Sequence, residues 1–149
     1  MLLSAGHWNG KGTFWFDGES LGQVIRCKLA VTEDDVSSNI KAEIDLRDSE
    51  YSAISIEVVP NQEGTYSLQV RILGDSFLGI SKLDSVPHLG LIWNEPRTLS
   101  ATFTIFTVDQ GLGFRGFANK DGQICTWEVV FMQEVAARAD NVLAFRKGR

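Results

Sequence analysis

The sequence predicts an all-β, antiparallel domain spanning residues 1–149, and three observations predict it. Nearly every segment before residue 134 alternates apolar and polar side chains with period two or is rich in Val, Ile, Thr, Phe and Trp. Turn residues interrupt these segments at short intervals. The 149-residue chain shows no internal repeat, low-complexity stretch or composition shift that would mark a linker. About nine or ten strands must therefore share one core, a count that suits a closed barrel or, as the alternative, a two-sheet β-sandwich.

The first run, Trp8 to Phe16, ends at Asp17-Gly18-Glu19-Ser20, where the Asp-Gly pair supplies the positive φ of a tight hairpin. Leu21 to Val31 follows, then the acidic turn Thr32-Glu33-Asp34-Asp35. In Asn39 to Leu46, Ile40, Ala42, Ile44 and Leu46 alternate with Lys41, Glu43 and Asp45, so one face is wet. Tyr51 to Val59 stops at Pro60-Asn61-Gln62-Glu63-Gly64, and Thr65 to Leu73 returns with Tyr66, Leu68, Val70 and Ile72 on one face. Residues 74–97 are the least regular, with short apolar pieces around Phe77-Leu78 and Leu91-Ile92-Trp93 that fit short strands or a loop. Thr98 to Val108, Gly113 to Ala118 and Gln123 to Gln133 read as a meander, separated by Asp109-Gln110-Gly111 and Asn119-Lys120-Asp121-Gly122. From Glu134 onward the alternation is lost, and Val135, Ala136, Val142, Leu143 and Phe145 suggest a short helix or a strap.

Composition narrows the function. With 44% hydrophobic and 22% charged residues the chain is that of a folded globular protein. A net charge of −5 argues against a nucleic-acid partner, because phosphate-backbone binders need a basic stripe. No apolar run reaches membrane-spanning length, and the amino terminus lacks a signal-peptide core, so a cytoplasmic protein with no membrane partner is expected. Cys27 and Cys125 lie on separate apolar runs and read as buried free thiols.

Gly6-His7-Trp8, a few residues from the start and leading into a strand, resembles the Gly-x-Trp signature that opens the first strand of lipocalins and related calycin barrels. Consecutive antiparallel runs at this chain length extend the resemblance over most of the sequence. It implies a closed up-and-down barrel and an Arg packing over the signature Trp, with Arg138 the nearest in position and Arg146 second. The opening is also similar to that of nitrobindin-type haem barrels, but those use a histidine near the carboxyl terminus, and residues 139–146 contain none. Carriers of apolar molecules, pigment lyases and a few isomerases share the architecture, so the site must decide function.

If Trp8 points inward, alternation also sends Gly10, Gly12, Phe14 and Phe16 inward and turns Asn9, Lys11, Thr13 and Trp15 outward. Of the three strand arginines, Arg71 falls on the polar face of its run, whereas Arg115 shares a face with Gly113 and Phe117 and is the leading anchor for a ligand carboxylate. The expected function is binding of a small, mostly apolar ligand in the lumen, lined by Trp8, Phe14, Phe103, Trp127 and Arg115. A lipocalin-like isomerase or lyase using His88 or Glu128 is the enzymatic alternative, with Glu128 raised in pKa between Trp127 and Val129. A sandwich whose Trp15 or Trp93 makes a protein or sugar contact, or a homodimer seam, is the alternative without a lumenal ligand. His7 and His88 have no spacing that supports a metal site, no glycine loop or nucleophile elbow is present, and no cofactor is expected.

Overall fold

A computed structural model describes residues 2–46 and 52–134. Ten strands follow one another along the chain: β1 (Gly6–Phe16), β2 (Gln23–Glu33), β3 (Ser38–Leu46), β4 (Ser52–Pro60), β5 (Tyr66–Ile72), β6 (Asp75–Lys82), β7 (His88–Asn94), β8 (Leu99–Val108), β9 (Gly111–Lys120) and β10 (Gln123–Gln133). Each pairs antiparallel with its sequence neighbours, and β1 pairs with β10, so the sheet closes into an up-and-down barrel. Closure removes the sandwich alternative, because no edge strand is left to separate two sheets. The helix or strap expected after Glu134 lies outside the described residues, as do Arg138 and Arg146.

The closing seam depends on a close approach. β1 and β10 run in continuous register from Trp8 opposite Gln133 to Phe16 opposite Cys125. Within it, a Cβ at Gly12 would collide with the Glu128 carbonyl oxygen and lie 2.7 Å from Val129 Cα. Only glycine fits there.

Register carries the period-two pattern round the whole barrel. Trp8, Gly10, Gly12 and Phe14 of β1 face the same side as Leu29, Cys27, Ile25 and Gln23 of β2. That side continues through Ala42 and Ile44, Ile54 and Ile56, Val70 and Ile72, Phe77 and Gly79, and Ile92. Ala101 and Phe103, Gly116 and Ala118, and Cys125 and Trp127 complete it. Apart from Gly113, the buried strand residues share this parity, so it is the inside. Leu78, Ile80, Leu89 and Leu91, with opposite parity, are exposed on the outside.

The two ends of the barrel differ. At the end where β1 begins, here the base, Trp8, Val31, Ile40, Val58, Leu68, Leu83, Leu112 and Phe131 form one buried cluster, with Leu2 and Leu3 packed against it. The segment before β1 is tied across this end. Trp8 Nε1 donates to the Ser4 carbonyl at 2.9 Å, Gln133 Nε2 to the Ala5 carbonyl at 3.0 Å, and Glu134 N to the His7 carbonyl at 2.8 Å. At the opposite end, the mouth, inward residues such as Phe14, Ile44, Ile54, Ile72 and Trp127 are only half-buried.

Candidate functional site

The inner surface is the candidate site, and strand number explains why it has room. Eight strands give an interior that side chains just fill, and diameter grows with strand count, so ten leave space unless large residues crowd inward. Here Gly10, Gly12, Ala42, Gly79, Gly90, Ala101, Gly116 and Ala118 occupy inward positions on several strands. Among the described residues no large side chain is fully sealed from solvent. Towards the mouth and along the middle of the barrel, Phe14, Ile44, Ile54, Ile56, Ile72, Phe103, Phe114 and Trp127 are only half-buried although the closed sheet covers them from outside, whereas Ile25, Val70, Phe77 and Val129 are buried, so the described inward side chains do not pack the interior evenly.

Its walls are chemically unequal. On the side of β8 to β10, Phe114 contacts Phe103 (centroids 5.6 Å, 57° between planes), Trp127 (5.7 Å, 41°) and Phe131 (6.2 Å, 51°). Tilted pairs at these distances add about 0.5–1.5 kcal/mol each beyond area burial and hold the rings as one wall. Gly116, paired with Trp127 across β9 and β10, makes the space for that indole, since a Cβ there would strike the ring. Phe14 pairs with Trp127 from the other side and stacks edge-on with Phe16 at 4.8 Å, at the mouth. Across the barrel, β3 to β5 contribute Ile44, Ile54, Ile56, Val70 and Ile72, an aliphatic wall.

Polar groups inside are few. Trp127 Nε1 is buried without a hydrogen-bond partner among the described residues. Cys27, facing inward beside Gly10, has its thiol pushed up to about 11 by burial, and Cys125 near the mouth is raised for the same reason. Both cysteines are free, Cys27 buried and Cys125 half-buried. Ser81 and His88 are buried towards the base.

Of the residues expected to line the lumen, Phe14, Phe103 and Trp127 face inward on the aromatic wall. Trp8 faces inward but belongs to the packed cluster at the base, 6% exposed. Arg115 does not line the lumen. Register places it opposite Glu128 on the outer face, where Nε meets the Glu128 carboxylate at 3.0 Å with both side chains more than half exposed, and its guanidinium covers the Phe106 ring at 5.0 Å. Glu128 is accordingly not an inward carboxylate. His88, the other residue of the enzymatic alternative, opens β7 at the base and is 7% exposed. Outside the barrel, Lys11, Arg26, Lys28, Glu43, Asp45 and Met132 border an open groove of about 750 Å³ with charges of both signs.

Sequence reasoning missed Phe114 as the hub of the aromatic wall. Its signal was the pairing of small with large residues, Gly116 against Trp127 and Gly90 against Phe103, which sets the inward side of β9 once register is known.

Fold and site together define a closed, ten-stranded antiparallel barrel with an apolar inner face, packed at the base and half-buried towards the other end among the described residues. No protein-family model matches the chain, and no curated protein sequence does. Among solved structures, a redesigned β-barrel, mFAP1, bound to DFHBI, is similar over 87% of this chain and 94% of that one, at 12% identity and a TM-score of 0.44. A likeness of that extent carries no functional argument.

Proposed function

We propose that this barrel binds a small, mostly apolar molecule in its lumen, admitted at the mouth beside Phe14, Trp127 and Ala118. The observation that carries the reading is the half-burial of large inward side chains inside a sheet that closes around them. Hydrophobic surface held in that state gains roughly 25 cal/mol for each Å² that a ligand removes from water. The lipocalin-like reading is the finer form of this proposal and is supported by Gly6-His7-Trp8 opening β1, with Trp8 pointing inward.

Titration with Nile red, a neutral dye that fluoresces when taken out of water, tests it. Saturable binding is expected, and Ala118→Trp, which fills the lumen near the mouth, weakens it by more than tenfold while the protein stays folded by circular dichroism. Binding unchanged in Ala118→Trp, or no binding at all, contradicts the proposal.

A further inference from the structure

The charged side chains are distributed in a way that restricts what the lumen can hold. Of the described basic residues, Lys11, Arg26, Lys41, Arg71 and Arg115 stand on the outer face by register and are exposed. Lys28 pairs outward with Glu43. Lys82 turns its Nζ to the carbonyls of Ser85 and Pro87 at 2.6 and 3.2 Å, and Arg97 lies over the Trp93 ring at 5.5 Å. Lys120 alone shares the lumen-facing register, and it sits exposed at the last position of β9, on the rim of the mouth.

Acidic side chains follow the same rule. Asp75 is the rim residue on β6, exposed and in register with Ile72, and Glu33 shares the inward register only at the exposed base end of β2, whereas Glu43, Asp45, Glu57 and Glu128 face outward. Gln23, Ser52 and Asn94 add uncharged polar groups to the rim. Below this ring, between rim and base, the described inward positions carry no carboxylate, ammonium or guanidinium. A charge carried into that zone loses its hydration and meets no partner, a penalty that far exceeds any gain from apolar contact. Cys27, facing inward halfway along β2, has its thiol raised by the same loss of hydration.

We infer that the lumen takes a planar ring compound whose buried part is uncharged, lying with its rings against the Phe103–Phe114–Trp127 wall and any charged or strongly polar end held at the rim beside Lys120, Gln23 and Asn94. This rests on the lumenal reading above and adds charge and orientation to it. It separates this barrel from one that clamps a carboxylate on an inward arginine, since no described arginine faces in.

The test uses the wild-type protein with Nile red bound and three naphthalenes of one shape: the dimethyl 2,6-dicarboxylate, its monoanionic half-ester, and the dianionic 2,6-dicarboxylate. The diester is expected to displace the dye best. The half-ester, its carboxylate left at the rim, should fall within about tenfold of it. The dianion, which must bury one carboxylate, should be weaker than the half-ester by more than 100-fold. A dianion within tenfold of the half-ester overturns the inference, as does failure of all three to displace dye that Ala118→Trp shows to be in the lumen. If the dye itself does not bind, or binds Ala118→Trp equally, the lumenal reading falls and the inference with it.

Discussion

Cys27 and Arg115 show how differently single residues answer to the barrel. Cys27 faces Gly10 across β1 and β2, and burial raises its thiol to about 11 from an ordinary value of 9.0. The unfolded chain therefore releases this proton at lower pH than the folded one. The resulting stabilisation is complete below pH 9 and is lost as pH rises towards 11. Urea denaturation should show wild type losing up to about 2 kcal/mol more than Cys27→Ala over that window. Parallel pH profiles for the two proteins would show that the thiol is not desolvated. Trp8 was read as inward from the Gly6-His7-Trp8 resemblance, and alternation along the same run then carried Phe14 inward with it. Arg115 was not legible in that way. Its own face carries Gly113 and Phe117 and the opposite face Phe114, Gly116 and Ala118, so hydropathy names no side. The side is set by cross-strand chemistry: Trp127 needs Gly116 opposite it, and Arg115 then falls opposite Glu128.

Strands were read well where one face is wet and poorly where that polarity reverses. β3 was visible within one residue because Ile40, Ala42 and Ile44 alternate with Lys41, Glu43 and Asp45. β6 and β7 were left between strand and loop for the opposite reason: Gly79, Ser81 and Gly90 point in, while Leu78, Ile80, Leu89 and Leu91 point out. Small inward and large outward residues cancel the usual signal, and pairing of β6 with β5 and β7 supplies the structure that side-chain polarity does not. The seam between β1 and β10 joins the first and last described strands and tolerates no side chain at Gly12. Gly12→Val should force those strands apart and lower the unfolding free energy by about 3 kcal/mol, at the upper end of overpacking costs. Denaturation of the variant within about 0.5 kcal/mol of wild type would show that the seam has slack the register does not reveal.

Closure and hollowness are properties of the whole molecule, and the sequence held only the first half of the argument. Strand count and the Gly6-His7-Trp8 opening pointed to a barrel, but whether ten strands enclose space depends on how many small residues face in together, which requires the register of every pair. Among the described residues the structure supplies it: aromatic side chains on β8 to β10, aliphatic ones on β3 to β5, glycines and alanines between them, and charge kept to the two ends of the barrel and the outside. An apolar cavity of this kind accepts xenon, which needs no polar partner and reports only on open hydrophobic space. Anomalous diffraction from crystals of the protein under xenon pressure is the most direct test. The account predicts xenon inside the barrel, between Phe114 and Trp127 on one wall and Ile54 and Ile56 on the other. A lumen that stays free of xenon because side chains fill it would contradict the account.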